Sequence, residues 1–217
     1  MKTIVQCDFD GTITHKDVSF MLLDAFANGN WRQLLDEYKD GKIPVGTFNT
    51  RVFAMVRANK QTMLDFIFKK GKVKIRNGFE ELLSYCSKND FKFVIVSNGL
   101  DFYIEAILRD IGIKNIDVFA AQTRFSPDGR LRVAYIGPDG RELRKGLKDE
   151  YSKLFLKRGY RMIYVGNGAS DLSPAKLAQH VFAIDDLLAC CKETNLDCTP
   201  FTDLNDVVKG LELVTLQ

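Results

Sequence analysis

Two aspartates separated by a single residue, in Asp8-Phe9-Asp10-Gly11-Thr12, are the pair whose type and spacing most directly permit chemistry in this sequence. One carboxylate can attack an electrophilic centre while the other gives and takes the proton of a leaving group. An isolated Asp-Gly is ordinarily only a turn. Here it closes Thr3-Ile4-Val5-Gln6-Cys7, a short, β-branched, apolar run that reads as a buried strand. Two aspartates at such an end can both face the crevice at the carboxyl edge of an α/β sheet, where these folds bind ligands.

Positioning that pair requires further strands. Phe91-Lys92-Phe93-Val94-Ile95-Val96, closed by Ser97-Asn98-Gly99, and Met162-Ile163-Tyr164-Val165, closed by Gly166-Asn167-Gly168, have the same character. Val118–Ala121 and Val181–Ile184 are weaker candidates. Between them lie helix-like stretches: Gly78–Lys88, Phe102–Ile111, Asp149–Lys157 and Asp171–Gln179, the last with Asp171 placed to cap it. Buried strands alternating with amphipathic helices imply a mostly parallel sheet covered on both faces, an α/β fold. Two stretches interrupt the rhythm. Residues 15–77 hold helical patterns such as Phe48-Val52-Phe53-Val56 and no good strand, which predicts a helical cap inserted after the first strand. From Ala120 to Arg144, Ser126-Pro127-Asp128-Gly129 and Gly137-Pro138-Asp139-Gly140 are strong turn signals and predict a β-hairpin at the sheet edge.

Composition narrows the function classes. With 46% hydrophobic and 27% charged residues, the chain of 217 can bury a real core and is neither disordered nor fibrous. A net charge of +3, from 31 basic and 28 acidic residues, is far from the imbalance of a nucleic-acid binder but compatible with a small anionic ligand. No run approaches the length of a membrane span, and Met1-Lys2 leads straight into the first strand, so a cytoplasmic chain is expected. Five cysteines without a CxxC pair point to reduced thiols rather than a disulfide frame or a structural zinc site.

The Asp8-Phe9-Asp10-Gly11-Thr12 pattern resembles the first motif of the haloacid dehalogenase superfamily of phosphohydrolases, and the likeness extends over nearly the whole chain. It implies a Rossmann-like three-layer core formed by residues 1–14 and 78–217, with residues 15–77 as the cap. It also implies the roles. Asp8 would attack phosphorus to give an aspartyl-phosphate, and Asp10 would protonate the leaving alkoxide and then activate water. Ser97, with backbone groups at Asn98 and Gly11, would hold the phosphoryl oxygens. A lysine offsetting their charge would be Lys148, preferred to Lys145 because it opens a helix 19 positions before Asn167. The fourth motif of the family, Gly-Asp-x-x-x-Asp, reads Gly166-Asn167-Gly168-Ala169-Ser170-Asp171 here. Mg²⁺ would be held by Asp8, Asp10, Asn167 and Asp171, and the uncharged Asn167 would weaken that site. The alternative is a phosphate-binding or interaction protein that has lost turnover through Asn167.

Within the superfamily the helical insertion resembles the phosphoserine-phosphatase-like branch. Ser170–Lys176, Asp186-Leu187-Leu188 and Thr199-Pro200-Phe201 are similar to the 2-hydroxy-3-keto-5-methylthiopentenyl-1-phosphate phosphatase group. The partner expected is a small phosphorylated metabolite, with no nucleic acid or membrane, acting on a monomer or homodimer. Asp17 and Arg51 are the residues expected to read the substrate beyond its phosphate, with Arg57 a competitor for Arg51. The basic run Lys69–Arg76 reads as a solvated edge because no aromatic residues interleave it. His15 and His180 are too few for a metal cluster, and strand alternation points Cys7 into the core.

Overall fold

The computed structural model describes residues 2–71, 73–126 and 131–215. The chain runs through β1 (Thr3–Cys7), then four helices: α1 (Val18–Phe26), α2 (Trp31–Lys39), α3 (Val45–Phe53) and α4 (Lys60–Asp65), the last continuing as a π-helical turn over Phe66–Gly71. Next come α5 (Phe79–Lys88), β2 (Lys92–Leu100), α6 (Asp101–Asp110), β3 (Asp117–Phe125), β4 (Leu131–Ile136) and β5 (Glu142–Leu143). The chain ends with α7 (Leu147–Lys157), β6 (Arg161–Gly166), α8 (Leu172–Ala175), β7 (His180–Ala183), α9 (Asp185–Glu193), β8 (Thr199–Pro200) and α10 (Leu204–Thr215).

The strands form one sheet in the order β5-β4-β3-β2-β1-β6-β7-β8, parallel from β3 to β8. All five residues of β1 are buried, as a central strand with helices on both faces requires. The chain builds outward from β1 through β2 and β3 on one side, then returns to β6 and continues through β7 and β8 on the other. Strand order therefore reverses at β1, and the carboxyl ends of β1, β2 and β6 splay apart into a crevice.

Helices α1 to α4 leave the core through a narrow neck. Thr14 and Ile75 form an antiparallel bridge, with His15 N donating to Lys74 O at 3.0 Å and Arg76 N to Ile13 O at 2.7 Å. Asp17 caps α1 by accepting from Phe20 N, and Asn59 caps α4 by accepting from Thr62 N.

Strands β3 and β4 pair antiparallel at one edge of the sheet, with β5 beyond them. Of the two turns read from the sequence, Gly137-Pro138-Asp139-Gly140 joins β4 to β5, closed by Gly140 N donating to Gly137 O at 2.9 Å. The other, at Pro127-Asp128-Gly129, lies outside the described residues. The helix expected over Asp171–Gln179 is shorter than its pattern: a 3₁₀ turn at Ala169–Asp171 and the single turn of α8. Gln179 N instead donates to Met162 O at 2.9 Å, drawing the chain into the β6–β7 ladder. Among the described residues no helix is long and apolar enough to cross a membrane.

Candidate active site

One residue beyond β1, Asp8 N still donates to Val165 O at 2.9 Å, so the chain stays beside β6 as it reaches the crevice. It then turns tightly, with the N–H groups of Thr12, Ile13 and Thr14 all donating to Phe9 O. Gly11 makes the turn possible. Its φ is +78°, and a Cβ there would lie 2.2 Å from the Asn167 side chain. Arg76 fixes the outside of the turn, donating from Nε to Thr12 O at 2.9 Å and from Nη2 to Gly11 O at 2.8 Å. Asp8, Asp10, Ser97, Lys148 and Asn167 thereby line one cavity of about 350 Å³.

Lys148 enters from the first turn of α7 and is only 3% exposed. Its Nζ lies 2.8 Å from Asp8 Oδ2 and 2.5 Å from Asp171 Oδ1. Burial alone would push the lysine down, but Asp171 and Asp8 hold it charged and raise it above its usual value. Lys145, the other sequence candidate, is exposed. Burial pushes Asp8 up to about 6 against the pull of Lys148. Burial, with Asp17 beside it, holds Asp10 well above the usual carboxylate range. Asp10 accepts from Val18 N at 2.9 Å and from the Tyr103 hydroxyl, which also meets Ser19 Oγ at 2.9 Å. Gly99 permits that approach, because a Cβ there would stand 2.2 Å from both Asp10 Oδ2 and Tyr103 Oη.

Ser97 is buried and accepts from Gly99 N at 3.0 Å. Asn98 Nδ2 lies 3.3 Å from Ser170 Oγ, and the Gly11 N–H is given to Thr14 Oγ1 at 3.1 Å. Asn167 Oδ1 accepts from Thr12 Oγ1 at 2.9 Å.

Two sequence expectations are corrected by the geometry. Asp171 does not belong to a metal shell. Its Oδ1 takes Lys148 Nζ and Tyr164 Oη (2.6 Å), and its Oδ2 takes the N–H groups of Asn167 (3.0 Å) and Gly168 (2.9 Å). A carboxylate offers about four acceptor positions, and all are used. It therefore anchors the lysine and the 167–168 loop, and makes no side-chain cap to α8. Arg51 does not reach the cleft either. It is exposed, pairs with Glu37 Oε2 at 3.3 Å and borders a separate depression beside Glu142 and Arg144. Arg57 is also turned away, donating to Ala54 O and Val56 O.

Asp17 does line the cleft, where burial pushes it up to about 6. Around it the helical insertion contributes Phe20, Leu35, Tyr38, Val45, Phe48 and Asn49. Tyr38 stacks on Phe48 with ring centroids 5.4 Å apart. Asn49, Tyr103, Tyr164 and Tyr135 are not singled out by the sequence, and Arg76, expected there at the end of a solvated basic run, is instead buried because it donates to the carbonyls of the Gly11–Thr12 turn. For Asn49 a signal existed: it falls within the buried stripe of α3, next to Phe48 and in phase with Val52 and Phe53, where a polar residue needs a partner.

A family model of haloacid dehalogenase-like hydrolases matches residues 5–176. The chain belongs to that family. This haloacid dehalogenase-like hydrolase is 28% identical over 217 residues to a 2-hydroxy-3-keto-5-methylthiopentenyl-1-phosphate phosphatase of Brevibacillus brevis, spanning 98% of this chain and 96% of the relative. It is 28% identical over 216 residues to the protein of the same name from Bacillus thuringiensis, spanning 98% and 97%. Its fold is similar to a phospho-aspartyl intermediate analogue of phosphoserine phosphatase, with a TM-score of 0.72, 18% identity, and 96% and 98% of the two chains covered. A substrate-bound phosphoserine phosphatase complex gives 0.71 at 18% identity with the same coverage.

Proposed function

We propose that the protein is a phosphomonoesterase that hydrolyses a small phosphorylated metabolite through an aspartyl-phosphate on Asp8. The observation that carries this reading is the convergence of Asp8, Asp10, Ser97 and Lys148 on one cleft, with Lys148 Nζ 2.8 Å from Asp8 Oδ2. Asp8, drawn by Lys148 and sitting near 6, is ionised at neutral pH and can attack phosphorus. Asp10, whose carboxyl burial and the neighbouring Asp17 hold above the usual carboxylate range, is placed to give a proton to the leaving alkoxide and then to take one from water. Ser97 and Lys148 supply a hydroxyl and a positive charge to the phosphoryl oxygens.

The donors in the cleft fit a hard cation. Asp8 and Asp10 with the Asn167 amide oxygen are oxygen ligands of the class Mg²⁺ takes, with one carboxylate fewer than the family motif would give. When bound, the cation would supply charge neutralisation at the phosphoryl group. The helices of residues 15–77 act in this reading as the cap, and their apolar residues receive the alcohol part of the ester. The phosphatase names of the relatives on both the sequence and the structural side support the reading.

A second reading, a phosphate-binding protein without turnover, is favoured by one observation: Asn167 carries no charge, and its oxygen is engaged by Thr12. The same experiment separates the two. Phosphate release from a panel of phosphorylated metabolites and an aryl phosphate should be measured with excess Mg²⁺, in the wild type and in Asp8→Asn. The substitution is expected to lower turnover by at least about 10⁴-fold with the fold intact. A near-wild-type rate in Asp8→Asn overturns the mechanism, and a wild type that binds phosphate but releases none supports the second reading.

A further inference from the structure

In β2 the phosphoryl-binding residues leave the sheet ladder. β2 pairs with β3 up to Val96 and again at Leu100, so the register shifts across Ser97, Asn98 and Gly99. A buried peptide group that leaves a ladder must find other partners. The peptide joining Asn98 to Gly99 finds them at both ends. Its carbonyl accepts from Asn49 Nδ2 at 3.0 Å and from the Tyr135 hydroxyl at 2.7 Å. Asn49 also donates to the Tyr135 oxygen, which closes a triangle over that carbonyl. Its N–H donates to Ser97 Oγ at 3.0 Å.

The geometry of the peptide turns these contacts into one device. A trans peptide is planar, so its C=O and N–H point in opposite directions. Holding the carbonyl against Asn49 and Tyr135 aims the N–H at Ser97. A serine oxygen that accepts there keeps its own proton to donate elsewhere. Ser97 is buried and lines the cleft that holds Asp8. The two clamping residues come from different parts of the fold: Asn49 from α3 of the insertion, Tyr135 from β4 of the hairpin. These parts touch closely, since a Cβ on Gly46 would lie 2.4 Å from Arg144 O. Asn49 and Tyr135 are themselves buried.

We infer that Asn49 and Tyr135 are positioning residues for the phosphoryl-binding loop, acting through the Asn98–Gly99 peptide to hold the Ser97 hydroxyl as a donor to the phosphoryl group. The loop is then fully set only when the insertion and the hairpin are docked together on it. The inference rests on the phosphomonoesterase reading for the identity of the ligand.

The test compares Asn49→Leu and Tyr135→Phe in the full-length protein, each made alone and combined with Ser97→Ala. Inorganic phosphate binding is followed by calorimetry with Mg²⁺ present, turnover with p-nitrophenyl phosphate, and folding by the thermal midpoint. In the Ser97 protein each substitution is expected to weaken phosphate binding and lower kcat about tenfold, equivalent to ~1.4 kcal/mol. In the Ser97→Ala background the further loss is expected to be under about twofold, because residues acting through one group are not additive. Tyr135→Phe removes a single oxygen and carries the test if Asn49→Leu fails to fold. Losses that multiply equally in both backgrounds, or an unchanged phosphate affinity, overturn the inference. Non-additive losses of phosphate binding in a protein without turnover sustain it while the phosphomonoesterase reading fails. A wild type that neither binds phosphate nor turns over p-nitrophenyl phosphate overturns both.

Discussion

On the floor of the cleft, Lys148 bridges Asp8 and Asp171, and every acceptor position of Asp171 is filled. Across from it, Phe20, Leu35, Tyr38, Val45 and Phe48 form an aromatic and aliphatic roof in which Asp17 and Asn49 are set. The floor is an electrostatic frame fixed before any ligand arrives, the arrangement that favours charge developing in a reaction. The roof is a packing surface, and packing surfaces discriminate between ligands by shape and by a few polar groups. In the proposed reading the reaction and the choice of substrate would be carried by separate parts of the chain, joined where Asn49 meets the Asn98 carbonyl.

The largest effect is expected on the floor. Lys148→Met leaves Asp8 and Asp171 without their common cation, and removing one partner of a buried ion pair costs about 3–5 kcal/mol. Urea unfolding should show that loss, together with loss of turnover; unchanged stability would mean the frame is not preformed. Next is Asn167→Asp, which adds a carboxylate to the proposed Mg²⁺ donors. The Mg²⁺ concentration for half-maximal activity should fall about tenfold, a change of ~1.4 kcal/mol. A titration showing no change, or tighter binding by the Asn form, removes position 167 from the metal site.

On the roof the effects are smaller. Asp17→Asn keeps an N-cap side chain while removing a charge that is costly to bury. Asp17 sits near 6 in the folded protein and near 4 when unfolded, so the native state holds its proton more tightly. Its penalty is therefore absent below about pH 4 and fully present above about pH 6. The variant should be more stable than wild type at neutral pH, with the difference closing as the pH falls. Urea midpoints at both pH values check this, and a difference independent of pH would show that Asp17 is not buried as a charge. The smallest effect belongs to Arg51→Ala. Its exposed pair with Glu37 is worth about 0–1 kcal/mol, and kcat/KM should be unchanged for every substrate. A selective loss on one metabolite would return Arg51 to the cleft.

The legibility of these residues in the sequence differs for reasons that can be named. Asp8 and Asp10 share one strand end, so their proximity follows from local geometry. Ser97 and Asn167 close equally apolar runs, and parallel strands bring such ends to one edge. Arg51 was misplaced by helix phase. It follows Asn49 by two residues, about 200° around the helix, so when Phe48, Asn49, Val52 and Phe53 face inward Arg51 faces out. Asp171 was misread because its residue type fits a metal ligand, whereas its occupied acceptor positions depend on Lys148 and Tyr164.

By itself the sequence determined the α/β alternation, the apolar runs that lead into Asp8, Ser97 and Asn167, and the interruption after β1 by a helical segment, while β2 itself carries on past Ser97 to Leu100. These follow from hydrophobic periodicity and turn chemistry, which act over a few residues at a time. Only the tertiary structure decided the partners: Tyr103 for Asp10 from 93 residues away, Gln6 for Ser152 from 146, and Asn49 for the Asn98 carbonyl from 49. A side chain's protonation and its donors depend on what the fold packs against it, and that packing is set by register, helix phase and the docking of separate elements.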